Sequence, residues 1–236
     1  MNLAMVKTYS HLFFDLDNTI FDFTGGSRLA FSAMLKYFNI KEEDDMYDGY
    51  KRINKEVWNE LEAGKITQYD LREKRFKLFF NAIKVEIDGH RANSVYLSEL
   101  VEHSELLEGA RELLTDLKKE YVLFAITNGL KEVQRPRMNK TNTTDLFDHI
   151  VVSDEIGFTK PHKAFFDVAY EPIKSEVTKD KILVIGDSLG SDIKGGNDYG
   201  FDTCHYNPRS YPYLLGIEPV YKVHSFDDLR SLLLPN

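Results

Sequence analysis

The chain is short of cysteine and tryptophan, with one of each in 236 residues, Cys204 and Trp58. A lone cysteine excludes an intrachain disulfide and suits a reducing cytoplasm, the compartment expected for this protein. Long apolar runs are also missing. No stretch approaches the roughly 20 apolar residues a membrane helix needs. Residues 1–10 lack the apolar core and small-residue cleavage pattern of an export signal. Positive charge is in deficit: 30 Lys and Arg against 38 Asp and Glu give a net charge of −8 and a pI near 5.4. That balance argues against polymeric nucleic acid, which calls for a basic patch. A small anionic substrate stays open, because a few local cations and a metal override net charge. There is no internal repeat, no low-complexity tract, and no metal-ligand spacing among the seven histidines.

What is present can fill a real core: 42% of residues are hydrophobic, with 16 Phe and 13 Tyr. An apolar strand over about His11–Phe14 runs into Asp15-Leu16-Asp17-Asn18-Thr19, two carboxylates at one-residue spacing followed by small polar residues. Alone, this pattern is close to an acidic turn. From about Asp22 to His103 helical periodicity takes over. Phe31, Leu35 and Phe38 share a face, as do Tyr50, Ile53, Val57 and Leu61, and Thr67 with Asp70 reads as a helix cap after a break at Gly64. About four helices are expected there.

From Leu106 helix and strand alternate. A helix carrying Leu113, Leu114 and Leu117 precedes a strand over 121–126 that ends in Thr127-Asn128-Gly129. Further strands are expected at 150–152, 182–185, 203–206 and 220–223. A loop reaches Lys160-Pro161, a helix over Phe165 and Val168 ends near Pro172, and Ser225 with Asp228 caps a closing helix. Continuous apolar strands alternating with helices predict an α/β fold, a parallel sheet covered on both faces. Such sheets bind ligands beyond the carboxyl ends of their strands. Asp15, Asp17, Thr127, Asn128 and Asp187 all follow strand ends, so they are expected to converge on one crevice.

Carboxylates gathered in one crevice raise each other's pKa unless a cation is present, and a hard divalent ion such as Mg²⁺ suits oxygen ligands. Asp187 and Asp192, on a loop leading into a helix, are candidate ligands. An aspartate beside such an ion can attack phosphorus, and a second acid can protonate the leaving oxygen and then deprotonate water. Thr127 and the backbone N–H groups of Asn128 and Gly129 offer donors to a phosphoryl group, and Lys160 offers charge.

Asp15-Leu16-Asp17-Asn18-Thr19, Thr127-Asn128-Gly129, Lys160-Pro161 and Gly186-Asp187-Ser188 with Asp192 resemble, in order and approximate spacing, the four motifs of the haloacid dehalogenase-like hydrolase superfamily. The resemblance covers nearly the whole chain. It implies a Rossmann-like doubly wound parallel sheet over 1–21 and 106–236, with an inserted α-helical cap over 22–105. It implies Asp15 as nucleophile, Asp17 as general acid/base, and Thr127 and Lys160 as phosphate-binding groups, joined by Asn18, Asn128 and Gly129. It places Mg²⁺, with Mn²⁺ as a substitute, on Asp15, Asp187 and the backbone carbonyl of Asp17, with Asp192 in support.

Leu61-Glu62-x-Gly64-Lys65-Ile66-Thr67, followed by Leu71-Arg72 and Arg75-Phe76, is similar to the cap of pyrimidine nucleotidases, as is the Asn207 region. That resemblance implies a phosphatase of nucleoside 5′-monophosphates, a small-molecule partner, and an oligomeric state open between monomer and homodimer. Two departures stand out: His162-Lys163 after Lys160-Pro161, and Gly195-Gly196 where Gly-Ala is usual. The rivals are a phosphatase or phosphomutase of another small metabolite such as a sugar phosphate, a 2-haloacid dehalogenase, and a non-catalytic binding protein of the same fold. The dehalogenase branch lacks the second acid that Asp17 provides.

Other features read as structural. Arg72, Lys74, Arg75 and Lys77 read as a solvated helix face from which Arg72 or Arg75 could reach a substrate, and Arg135 and Arg137 read as surface. His149, His162 and His205 read as structural or solvent-facing. Trp58, Phe76, Phe79 and Phe80 read as core, with one or two free to stack on a base. Cys204 reads as a small buried hydrophobe.

Overall fold

The computed structural model describes residues 9–210 and 216–235. The start of the expected N-terminal segment, residues 1–8, therefore lies outside the described residues. The first strand, β1 (His11–Phe14), is followed by four helices: α1 (Phe23–Tyr37), α2 (Met46–Glu62), α3 (Gln68–Ala82) and α4 (Gly89–Glu102). After them come α5 (Ala110–Leu117), β2 (Val122–Thr127), α6 (Lys131–Lys140), β3 (His149–Val152), α7 (Ser153–Ile156) and α8 (Lys163–Tyr170). The chain closes with β4 (Ile182–Gly186), α9 (Lys194–Tyr199), β5 (Asp202–Tyr206), β6 (Tyr221–Val223) and α10 (Phe226–Leu233). Helix α6 is absent from the expected elements. Pro136 lies inside it, a residue that ordinarily breaks helices.

The described chain divides into two compact units. One contains the described residues up to Asp22, Leu106–Lys131 and the described residues from Thr141 on; the other contains Phe23–Glu105 and Glu132–Lys140. In the first, six strands form one sheet in the order β3-β2-β1-β4-β5-β6, every pair parallel. This is the strand order of doubly wound nucleotide-binding sheets, and its reversal point lies where β1 meets β4. Leu12, Phe13 and Phe14 of β1 are all fully buried, as a central strand covered on both faces requires. Phe13 stacks on Phe124 at 4.4 Å, within a cluster that includes Phe165, Phe166 and Phe201. The segments that leave and re-enter this unit run side by side, joined by an antiparallel bridge between Phe21 and Leu106.

The second unit is helical and its core is aromatic: Phe31 stacks on Tyr50 at 5.1 Å, and Tyr50 on Phe76 at 5.3 Å. Thr67 and Asp70 close a reciprocal capping box at the start of α3, as their spacing predicts. Two expectations are corrected here. Arg75 is not solvated: it is 3% exposed, donates to Asn93 Oδ1 at 2.5 Å and Asn54 Oδ1 at 3.2 Å, and lies over the Phe76 and Tyr96 rings. Arg137, on α6, is 1% exposed rather than on the surface. The Arg75 guanidinium lies over aromatic rings and donates to two Asn side chains, a combination that charge alone does not announce. Phe76, Phe79 and Phe80 are buried in this core, so none is available to stack on a ligand.

The Gly195-Gly196 pair also has a packing reason. A Cβ on Gly196 would lie 2.6 Å from Thr203 Cγ2 and 3.3 Å from Val184 Cγ2, both on β-branched strand side chains with little freedom to move. Gly196→Ala is therefore expected to cost about 1–3 kcal/mol of overpacking, more than offsetting the ~1 kcal/mol that Ala ordinarily adds in a helix. A lowered urea midpoint at unchanged m-value tests this; an unchanged or raised midpoint rejects it.

Candidate active site

Three strand ends and one loop position the site. Asp15 directly follows β1, and its N–H still donates to Ile185 O at 2.9 Å, so the ladder carries the nucleophile candidate past the strand. Asp187 follows β4, the neighbouring strand, and Asp192 sits one π-helical turn later, in Leu189–Ile193. Thr127 is the last residue of β2. Lys160 comes in from the loop before α8.

Lys160 is 1% exposed, and all three of its ammonium donors are used: Asp15 Oδ1 at 2.7 Å, Asp192 Oδ1 at 2.8 Å and the Ile126 carbonyl at 2.8 Å. One oxygen from each of Asp15, Asp187 and Asp192 lies within 4.8 Å of the others. The Asp17 carboxylate is not one of the three, although its charge still acts on Asp15 and Asp187. Burial, with the charges of Asp192 and Asp17, pushes the Asp15 carboxyl up to about 7 against the pull of Lys160. Burial also raises Asp187 well above the usual carboxylate range, with the neighbouring acids adding to the effect. Desolvation lowers the Lys160 pKa, but Asp15 and Asp192 outweigh it and raise the group overall. The ammonium stays charged; the acids around it are under-compensated.

Several supporting contacts lie beyond what the sequence motifs reveal. The Asn128 side chain clamps the Lys160 backbone from both sides: its Nδ2 donates to Lys160 O at 2.9 Å and its Oδ1 accepts from Lys160 N at 2.8 Å. Thr127 Oγ1 accepts from Gly129 N at 3.0 Å, which fixes the turn after β2. Ser153 Oγ donates to Asn128 O at 2.9 Å. Asp192 Oδ2 accepts from Ser188 N at 3.1 Å, and a Cβ on Gly186 would collide with that carboxylate, so the glycine leaves Asp192 its place. His205 Nε2 donates to the Asp187 carbonyl at 2.9 Å, and burial lowers its pKa. Asn18 adopts a left-handed backbone, φ 58°, which Asn tolerates better than most residues. The signal that finds Asn128 from sequence is its place beside Thr127; the partner it holds, 32 residues on, is not encoded locally.

The profile of haloacid dehalogenase-like hydrolases matches residues 9–200. Pyrimidine 5′-nucleotidase PynA of Streptococcus pneumoniae is 34% identical over 229 residues, covering 97% of this chain and 96% of its own. Pyrimidine 5′-nucleotidase YjjG of Escherichia coli is 32% identical over 222 residues, covering 94% of this chain and 96% of its own. The crystal structure of the HAD-hydrolase YfnB of Bacillus subtilis, bound to magnesium, superposes with a TM-score of 0.90 at 34% identity, covering 97% of this chain and all of that one.

Removing the Lys160 charge leaves Asp15 and Asp192 buried without their cation. Lys160→Met is expected to destabilise the protein by about 3–5 kcal/mol near pH 8. Because burial raises the Asp15 pKa above its unfolded value, ionising Asp15 opposes folding as pH rises from about 4 through about 7. The deficit of the variant should therefore shrink at pH 5. Urea unfolding of both proteins at the two pH values tests this, and an equal deficit at both would remove the electrostatic explanation.

Proposed function

We propose that this chain, which belongs to the haloacid dehalogenase-like hydrolase family, is a magnesium-dependent phosphomonoesterase that works through an aspartyl phosphate and prefers pyrimidine nucleoside 5′-monophosphates. The observation that carries the chemical reading is the setting of Asp15, hydrogen-bonded to Lys160 and close to Asp187 and Asp192, with a second acid two residues on at Asp17. The names of the PynA and YjjG relatives support the nucleotide preference.

The donor set fits a hard divalent ion. Three carboxylate oxygens converge within 4.8 Å, all hard ligands, and a single ammonium leaves them under-compensated. Asp15, Asp187 and the backbone carbonyl of Asp17 would hold Mg²⁺, with Asp192 in support, and Mn²⁺ shares the preference for oxygen ligands. When bound, the ion supplies positive charge to the oxygens of the transferring phosphoryl group.

The chain's own residues then divide the work. The ionised Asp15 carboxylate attacks phosphorus and becomes the aspartyl phosphate as the ester bond breaks. Asp17 delivers a proton to the leaving alkoxide, then removes one from the water that hydrolyses the acyl phosphate. Lys160 keeps Asp15 ionised and oriented, and Asn128 keeps Lys160 in place. Thr127 and the N–H of Asn128 receive the phosphoryl oxygens, with Gly129 N holding the Thr127 hydroxyl in place and Asn18 beside them. Asp17 also sets this reading apart from a 2-haloacid dehalogenase, which has no leaving alkoxide to protonate. The helical insert, residues 22–105, serves as the substrate-selecting cap.

Asp15→Asn is expected to abolish turnover while leaving the circular dichroism spectrum unchanged, and Asp17→Asn to lower kcat by about 10²–10⁴-fold. A panel of phosphate monoesters assayed with Mg²⁺ and with Mn²⁺ tests the substrate. A flat profile over nucleotides and sugar phosphates rejects the nucleotide preference, and no phosphate release with either metal rejects the phosphatase. Mg²⁺ should raise Tm more at pH 8 than at pH 5, because protons hold Asp15 below about 7 and compete with the ion. An equal shift at both values would place the ion elsewhere.

A further inference from the structure

The peptide that joins Asp187 to Ser188 is held at both ends. Its carbonyl accepts from His205 Nε2 at 2.9 Å, and its N–H donates to Asp192 Oδ2 at 3.1 Å. A peptide unit is planar, so the direction of one end sets the direction of the other. A carbonyl only accepts, so Nε2 carries the imidazole proton here. The other oxygen of Asp192 meets Lys160 at 2.8 Å, and Lys160 meets Asp15 at 2.7 Å. One line of hydrogen bonds thus runs from His205 through this peptide to Asp192, Lys160 and Asp15.

The fold prepares the place of His205. The residue is 2% exposed and stands beside Gly186 in the parallel register of β4 and β5. Gly186 ends β4, so the imidazole reaches the first carbonyl beyond the strand. Thr203, two positions before His205, shares its face of β5. A Cβ on Gly196 of α9 would lie 2.6 Å from Thr203 Cγ2, so the bare glycine lets the helix lie close on that face. The Leu189–Ile193 turn, which carries Asp192 and leads directly into α9, is brought down with it.

Buried from water, a hydrogen bond of this kind gains strength and direction from its surroundings. Without the His205 donor the peptide is free to turn about its flanking bonds, and Ser188 N then leaves Asp192. The Asp187 and Asp192 carboxylates lose their fixed spacing, which together with Asp15 brings one oxygen of each within 4.8 Å of the others. The loss falls on the gathering of oxygens around one ion rather than on the sheet.

We infer that His205 is a positioning residue for the divalent-ion site: it sets the Asp187–Ser188 peptide, and through it the spacing of the Asp187 and Asp192 carboxylates. The inference rests on the metal reading above. It adds to that reading a residue of β5, a strand that supplies none of the proposed ligands.

The test measures Mg²⁺ binding itself. Tm is recorded across a Mg²⁺ titration at pH 8 for the wild type, for His205→Phe, which keeps a ring but loses the donor, and for His205→Gln, which keeps an N–H at similar reach. In His205→Phe the Mg²⁺ concentration giving the half-maximal shift is expected to rise about 10–100-fold, the usual effect of losing a group that orients a metal ligand. His205→Gln should recover most of that loss. A lower metal-free Tm with unchanged Mg²⁺ affinity marks a purely structural role and overturns the inference. Should His205→Phe fail to fold, long-range ¹H–¹⁵N spectra of the wild type decide. They are expected to show the His205 proton on Nε2 and ring signals that shift as Mg²⁺ binds; a proton on Nδ1 alone, or unmoved ring signals, overturns the role. A wild type whose Tm and His205 signals both ignore Mg²⁺ overturns the metal reading and this role with it. Equal Mg²⁺ binding by the wild type and His205→Phe overturns the role alone.

Discussion

Taking a lysine ammonium out of water costs several kcal/mol, and burying carboxylates beside it costs as much again unless the charges meet at hydrogen-bond distance. Lys160 meets Asp15, Asp192 and the Ile126 carbonyl at 2.7–2.8 Å, and every other feature of the site serves that arrangement. The Asn128 amide clamps the Lys160 backbone, the missing side chain at Gly186 leaves room for Asp192, and Ser188 N satisfies the other oxygen of Asp192. Loops from β1, β2 and β4 are thus tied together through one cation. The compensation is incomplete, since Asp15 and Asp187 remain raised. That residual imbalance is what the proposed divalent ion would offset.

The two units solve different packing problems. The sheet-bearing unit buries β1 on both faces and so brings its polar residues to the strand ends, where backbone ladders stop and side chains can converge. The helical unit buries aromatic rings against each other and admits Arg75 among them, held by two Asn carbonyls and by ring faces rather than by an acid. A charge held this way orders the core without a titrating partner.

Much was legible in the residue order. The apolar runs located the strands to within a residue or two, and β1 at His11–Phe14 agrees with its expected span. The capping residues at Thr67 and Ser225 marked real helix starts. Readings failed where periodicity carries no information about partners. Arg75 and Arg137 read as surface because charge is usually solvated, yet both are buried. Helix α6 carries Pro136 inside it, a residue whose usual signal is a break, so local pattern does not mark this helix.

By itself the sequence determined the strand ends, the helical insert, and which acids, amides and one lysine stand at those ends, because hydrophobic period and chain order are local properties. The tertiary structure alone decided which of these groups touch. Asp15 and Lys160 are 145 positions apart, and only the parallel register of β1 between β2 and β4 makes them neighbours. It also decided that Lys160 is sealed from solvent with every donor used, and that the His205 imidazole comes to lie beside the Asp187 carbonyl. Burial and long-range contact set those charges and that hydrogen bond, and neither is a property of any one stretch of chain.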